Sequence, residues 1–183
     1  MNLLSNINIF DHQLALSIFS LRLPAWDRFF LVFTYLGEWL VVTILLLFLL
    51  LLGYRFKETF IGWFAILVVA LSGLTSILLK FLVNRSRPSS EIALYSENLA
   101  SFPSAHAALI LSFWGFLTYV IWRTRHHLST KIFFSLISLI IIGLIGFSRL
   151  YLGVHFFSDI IGGYLVGLLW LLLTMYWSRS YFK

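Results

Sequence analysis

Five stretches of this chain carry no charged side chain: Trp39 to Gly53, Thr59 to Leu79, Ala107 to Trp122, Ile132 to Ser148 and Ile160 to Ser178. Each approaches the ~20 residues that a helix needs to cross a hydrocarbon core of ~30 Å. The chain is 61% hydrophobic over 183 residues, with a mean hydropathy of +0.96, more apolar surface than one soluble core of this length can hide. Only helices satisfy their own backbone in lipid without closing a barrel. The expected fold is therefore all-α, a polytopic membrane bundle of five to six spans. The first span can begin as early as Phe29 if Glu38 is tolerated, which makes a long, tilted or kinked helix.

Residues 1–28 read differently. "NIFDHQLALSIFSLRL" carries Asp11, His12 and Gln13 at one end and apolar residues at amphipathic spacing, and Pro24 breaks it. It is expected to lie at the interface, with a sixth span as the alternative. No Lys or Arg precedes its apolar part, unlike a signal peptide. The whole, 1–183, reads as one domain, with 29–178 as the transmembrane core.

The net charge of +6 comes from cations scattered at helix ends instead of a stripe, which argues against nucleic acid and for anionic headgroups and a phosphorylated lipid partner. Cysteine is absent, so disulfides, thiolate metal sites and Cys nucleophiles are excluded. By parity "YRFKE", "WRTRHHLSTK" and "SRSYFK" share one side, the cytoplasmic side by the positive-inside rule. Lys80, Arg85, Arg87 and Arg149 then stand on the opposite face, against that rule.

Three segments meet on that face. In Lys80-x6-Arg87-Pro88, Lys80 ends a span and Pro88 disfavours helix at Arg87, so two cations point at the headgroup region. Taken alone they suit snorkelling residues. Pro103-Ser104-Ala105-His106 opens a helix whose unpaired N–H groups suit an anion. Ser104 there is a cap or a phosphate donor. In Ser148-Arg149-x5-His155-x3-Asp159, the four-residue spacing lets Asp159 pair with His155 and orient it, whether for chemistry or to start a helix. Glu91 and Glu97 read as solvated or lid residues, and Glu38 as either neutral or paired. Gly163-x3-Gly167 reads as a close helix contact.

Together these motifs resemble the type 2 phosphatidic acid phosphatase (PAP2, lipid phosphate phosphatase) family, whose signatures are Lys-x6-Arg-Pro, Pro-Ser-Gly-His and Ser-Arg-x5-His-x3-Asp. The second departs at Ala105, where the family usually has Gly. The resemblance implies a metal-independent phosphoric ester or diphosphate hydrolase without cofactor. His155 would be the nucleophile forming a phosphohistidine, Asp159 its orienting partner and His106 the proton donor. Lys80, Arg87, Ser104, Ala105 and Arg149 would hold phosphate. The implied substrates are undecaprenyl diphosphate, phosphatidylglycerophosphate or phosphatidate. The short loops resemble small bacterial members, which makes the membrane the inner (plasma) membrane, and the loop charges put the site on its extracytoplasmic face. Vanadium haloperoxidases share the motifs but are soluble. A non-catalytic lipid-phosphate binder or transporter is the other alternative, although it needs cations and no paired acid and base.

Overall fold

A computed structural model describes residues 3–182, with side chains from Ser5 onward. Residues 1 and 2 of the N-terminal stretch, and Lys183, lie outside the described residues. In chain order the helices are α1 (Leu3–Ser20), α2 (Pro24–Tyr35), α3 (Trp39–Arg55), α4 (Thr59–Val83), α5 (Ala105–Arg123), α6 (Leu128–Tyr151) and α7 (Phe157–Ser178). No strand occurs among the described residues.

Among the described residues four helices, α4 to α7, are long and apolar enough to cross a membrane, and α2 with α3, bent by 46°, makes a fifth when the pair is taken as one span. The bend falls at residues 36–38, where Leu36 closes α2 and Glu38 starts α3 from an extended conformation. The kink expected of a span that includes Glu38 is thus a full break. Each span's apolar side chains meet lipid on one side and the bundle on the other, since the bilayer imposes no penalty on exposed Leu, Ile and Phe.

Helix α5 is the axis of the bundle, with 56% of its span buried against 11% for α6. Leu109, Phe113, Phe116 and Val120 of α5 pack with Val42 and Leu46 of α3, Val68 and Val69 of α4, and Leu171 of α7. At the other end of α5 the neighbours are small. A Cβ on Gly163 would lie 2.3 Å from the Ser104 carbonyl, and one on Gly167 would lie 2.6 Å from that of Ala108. The Gly163-x3-Gly167 pair therefore lets α7 close onto the start of α5 inside the subunit.

Helix α1 lies across the end of the bundle that carries the long α4–α5 loop. Asn8 reaches Arg85 at 3.1 Å, and Asp11 accepts from the Ser158 backbone at 3.1 Å. Just beyond the helix, Arg22 donates to the Tyr151 carbonyl at 2.7 Å and to that of Ile92 at 2.5 Å. Both ends of the segment thus touch the same end of the molecule, and α1 is not among the described helices long and apolar enough to cross a membrane.

Candidate active site

Helix α4 runs a turn past Lys80 and ends at Asn84, whose left-handed φ of 46° suits an Asn C-cap. The chain therefore leaves the helix three residues before Arg87 and crosses the bundle end as a loop. Ser101 of that loop donates its N–H to the Arg85 carbonyl at 2.8 Å, and Lys80 Nζ donates to the carbonyls of Ala100 at 2.6 Å and Ser101 at 3.2 Å. Lys80 thus ties the loop down while lining the cavity beneath it.

Ser104 is the N-cap of α5, its hydroxyl accepting from the Ala107 N–H at 3.5 Å. Of the two uses expected for Ser104, the structure shows the cap. Its own N–H donates to the Asp159 carbonyl at 2.9 Å, stitching the start of α5 to that of α7. Asp159, in the first turn of α7, accepts from the Phe156 N–H at 2.8 Å through Oδ2, the reach-back of an N3 carboxylate. The same oxygen accepts from the Ser101 hydroxyl and lies 3.5 Å from His155 Nδ1. Oδ1 accepts from Arg85 at 2.6 Å.

His155 itself lies in the loop before α7, so the pairing expected along one helix face arises from a helix cap instead. Its Nε2 is 3.3 Å from Arg87 Nη1, and it is 1% exposed. Burial, opposed by Asp159 and reinforced by Arg149, Arg87 and Lys80, pushes its imidazole down to about 3, so it is neutral at physiological pH.

Arg149 is wholly buried in the last turn of α6. It donates to Thr34 Oγ1 at 2.6 Å, to the Tyr95 hydroxyl and to the Glu97 carboxylate. Glu97 also pairs with Arg87 at 2.7 Å. Of the two readings of Glu97, solvated or lid, the solvated one is corrected: its carboxylate turns inward onto two guanidinium groups. Burial disfavours its charge, yet the attraction of the surrounding cations, Arg149 first, holds it at about 2. Glu91 is exposed, as expected.

A cavity of about 350 Å³ opens beside these groups, lined among others by Glu38, Lys80, Arg87, Glu97, Ala105, His106 and His155. Five of the eight expected site residues line it: Lys80, Arg87, Ala105, His106 and His155. Asp159, Ser104 and Arg149 stand behind them, Asp159 through His155 and Arg149 through Glu97. His106 is paired with Glu38, its Nε2 3.2 Å from Oε1. That answers whether Glu38 is neutral or paired.

Four further groups emerge from the structure: Arg85, Ser101, Tyr95 and Asp11. Asp11 is fully buried and accepts from Arg85 at 2.8 Å and from the Ser158 hydroxyl, so α1 reaches the Asp159 site through one guanidinium. Arg85 carried a sequence signal as a cation on the wrong face and Asp11 as the polar end of an amphipathic segment; Ser101 and Tyr95 carried none. No cluster of three or more His, Asp or Glu side chains suited to a metal ion occurs among the described residues.

The fold and cavity define a multi-pass membrane protein that keeps an oriented, neutral histidine among buried cations. The family model of the PAP2 superfamily matches residues 61–183, more than half of the chain, and the chain belongs to that superfamily. Phosphatidylglycerophosphatase B of Bacillus subtilis (strain 168) is 33% identical over 117 residues, 63% of this chain and 57% of that relative's length. Lipid A 4'-phosphatase of Porphyromonas gingivalis is 28% identical over 170 residues, covering 87% of this chain and 69% of the relative. Among solved structures, the transmembrane PAP2 type phosphatidylglycerolphosphate phosphatase from Bacillus subtilis superposes with a TM-score of 0.88 at 27% identity, covering 96% of this chain and 87% of that one. Aquifex aeolicus LpxE gives 0.73 at 29% identity, covering 91% and 95%. The resemblance read from the three motifs is a family relationship.

Proposed function

We propose that this chain, acting as one unit with residues 29–178 as its transmembrane core, is a metal-independent lipid phosphatase working through a phosphohistidine. The observation that carries the reading is His155: neutral, buried, with Nδ1 toward Asp159 and Nε2 beside Arg87 at the cavity. An imidazole tautomer with its proton on Nδ1 has its lone pair on Nε2, ready to attack phosphorus. As the N–P bond forms, the P–O bond to the leaving group breaks, the lipid alcohol in a monoester or the inner phosphate in a diphosphate, and His106 supplies the proton that the leaving oxygen takes. Water then gives a proton back to His106 and its oxygen to phosphorus, and the electron pair of the N–P bond returns to His155.

Lys80, Arg87 and Arg149 stabilise the charge on the nonbridging oxygens, with Ser104 and the N–H groups near Ala105 at the helix start. Arg149 Nε–H, buried and without a hydrogen-bond partner among the described residues, is a spare donor for such an oxygen. The names of the relatives support a phosphate ester on a membrane lipid. The substrate set is phosphatidylglycerophosphate, phosphatidate or undecaprenyl diphosphate, met at headgroup level on the extracytoplasmic face of the inner (plasma) membrane. The Lys- and Arg-bearing loops at the opposite ends of the spans, read as cytoplasmic, favour this placement.

The test is inorganic phosphate release by the purified protein in detergent with chelator, from each of the three lipids, beside His155→Ala. Release that resists chelator and vanishes in the variant is the expected result. Equal release by the variant overturns His155 as nucleophile. Retained lipid-phosphate binding with no release from any substrate turns the reading into a binder.

A further inference from the structure

We infer that Glu38 is the positioning residue of His106, forming a second histidine–carboxylate pair that serves the leaving group as Asp159 serves the nucleophile. The inference rests on the phosphatase reading above. Glu38 lies outside the span of the family match and outside the three motifs.

Two observations place it. The first is the hydrogen-bond distance of 3.2 Å between Glu38 Oε1 and His106 Nε2, with both residues lining the cavity. The second is the backbone beside it: a Cβ on Gly37 would lie 3.0 Å from His106 Cδ2, the carbon next to that nitrogen, and 3.0 Å from Ile145. The α2–α3 break is therefore seated against the edge of the imidazole, and Gly37 is what allows it so close.

Glu38 has no competing structural duty in the break. It sits at the N-cap of α3, yet its side chain makes no capping hydrogen bond. A carboxylate in the middle of a bent membrane span is costly unless it is partnered, and its hydrogen-bonding side-chain partner is His106.

The chemistry follows from the atom that is held. With Nε2–H donating to Glu38, the second nitrogen, Nδ1, is the one that exchanges protons. In the charged imidazole Nδ1–H passes its proton to the alkoxide oxygen as the P–O bond breaks. The ring is left neutral, with Nε2–H still on Glu38. When water attacks the phosphohistidine, its proton returns to Nδ1, and no proton is lost over the cycle. The carboxylate stabilises the charged ring that begins each turnover and holds one tautomer in the neutral ring that ends it.

Up to leaving-group departure, the part of the cycle that kcat/KM reports, a leaving group that needs no proton is indifferent to this pair, which supplies the test. Wild type, Glu38→Gln, Glu38→Asp, His106→Ala and the double variant Glu38→Gln/His106→Ala are compared in detergent on phosphatidate and on p-nitrophenyl phosphate. The expected result is a loss of about tenfold or more in kcat/KM on phosphatidate for Glu38→Gln, with kcat/KM on the aryl ester changed less than about twofold. Glu38→Asp should recover part of the loss, and the double variant should be no slower than His106→Ala alone. Equal losses on both esters, or losses that multiply in the double variant, overturn the inference and make Glu38 a packing residue. A wild-type protein that releases phosphate from neither ester, nor from phosphatidylglycerophosphate or undecaprenyl diphosphate, overturns the phosphatase reading, and the Glu38 assignment with it.

Discussion

The two histidine–carboxylate pairs are built in opposite ways. His155 and Asp159 are four residues apart. Asp159 is fully buried and takes hydrogen bonds from Phe156, Ser101 and Arg85 as well. His106 and Glu38 are 68 residues apart in sequence, and the Glu38 side chain is 38% exposed toward the cavity. An imidazole that must form a bond to phosphorus needs a fixed direction, which several partners enforce. One that must trade protons with a leaving oxygen and then with water needs access. The over-determined pair is rigid, and the open pair is reachable.

The largest expected effect lies on the rigid pair. His155→Ala should lower kcat by roughly a thousandfold or more, since no other group replaces the nucleophile, while the protein stays monodisperse in detergent. Residual turnover near wild type would erase the asymmetry between the pairs. Next comes the support behind Asp159. Arg85→Gln should cost about ten- to a hundredfold in kcat with little change in KM, and Arg85→Lys should recover part of it. A loss confined to KM would make Arg85 a substrate contact instead of a support.

The pairs' surroundings also predict how stability depends on pH. The unfolded chain binds a proton on His155 below about 6.5, whereas the folded chain refuses it until about 3, so stability falls as pH drops through that window. Glu97, held at about 2 against an ordinary 4.5, adds its own loss only below 4.5. Thermal unfolding in detergent should therefore show a slope between pH 6.5 and 4.5 that His155→Gln flattens, and a steeper one below it that Glu97→Gln relieves. A slope between pH 6.5 and 4.5 unchanged in His155→Gln would assign that window to other groups. The smallest effect is at the helix start the pairs share. Ala105→Gly should change kcat less than about threefold, because Ala105 is a first-turn residue where helix propensity costs little. A collapse of activity would show that the site has packed around that methyl.

The same contrast explains what could be read before the fold was known. His155, Asp159, Lys80 and Arg87 carry their relation in spacing, because each motif sits at one helix end and its geometry is local. The five apolar stretches mark the spans because lipid selects against charge along their whole length. Glu38 looked like a flaw in an apolar run, and its partner arrives only when α3, α4 and α5 pack together. Glu97 and Ser101 sit in a polar loop where nothing local separates an inward side chain from a solvated one. Asp11 was legible as the polar end of an amphipathic segment, but its grip on Arg85 depends on α1 lying across the bundle end.

Glu97 has a further consequence. An anion entering this site does not meet bare cations, because Arg87 and Arg149 already hold a carboxylate on a tether. Binding there is an exchange of one counter-ion for another, and its free energy is a difference between two pairings. The tether keeps the resident anion at the high effective concentration of an intramolecular competitor. On the proposed reaction, released phosphate faces a rival that never diffuses away, and the site closes its own charge as the product departs.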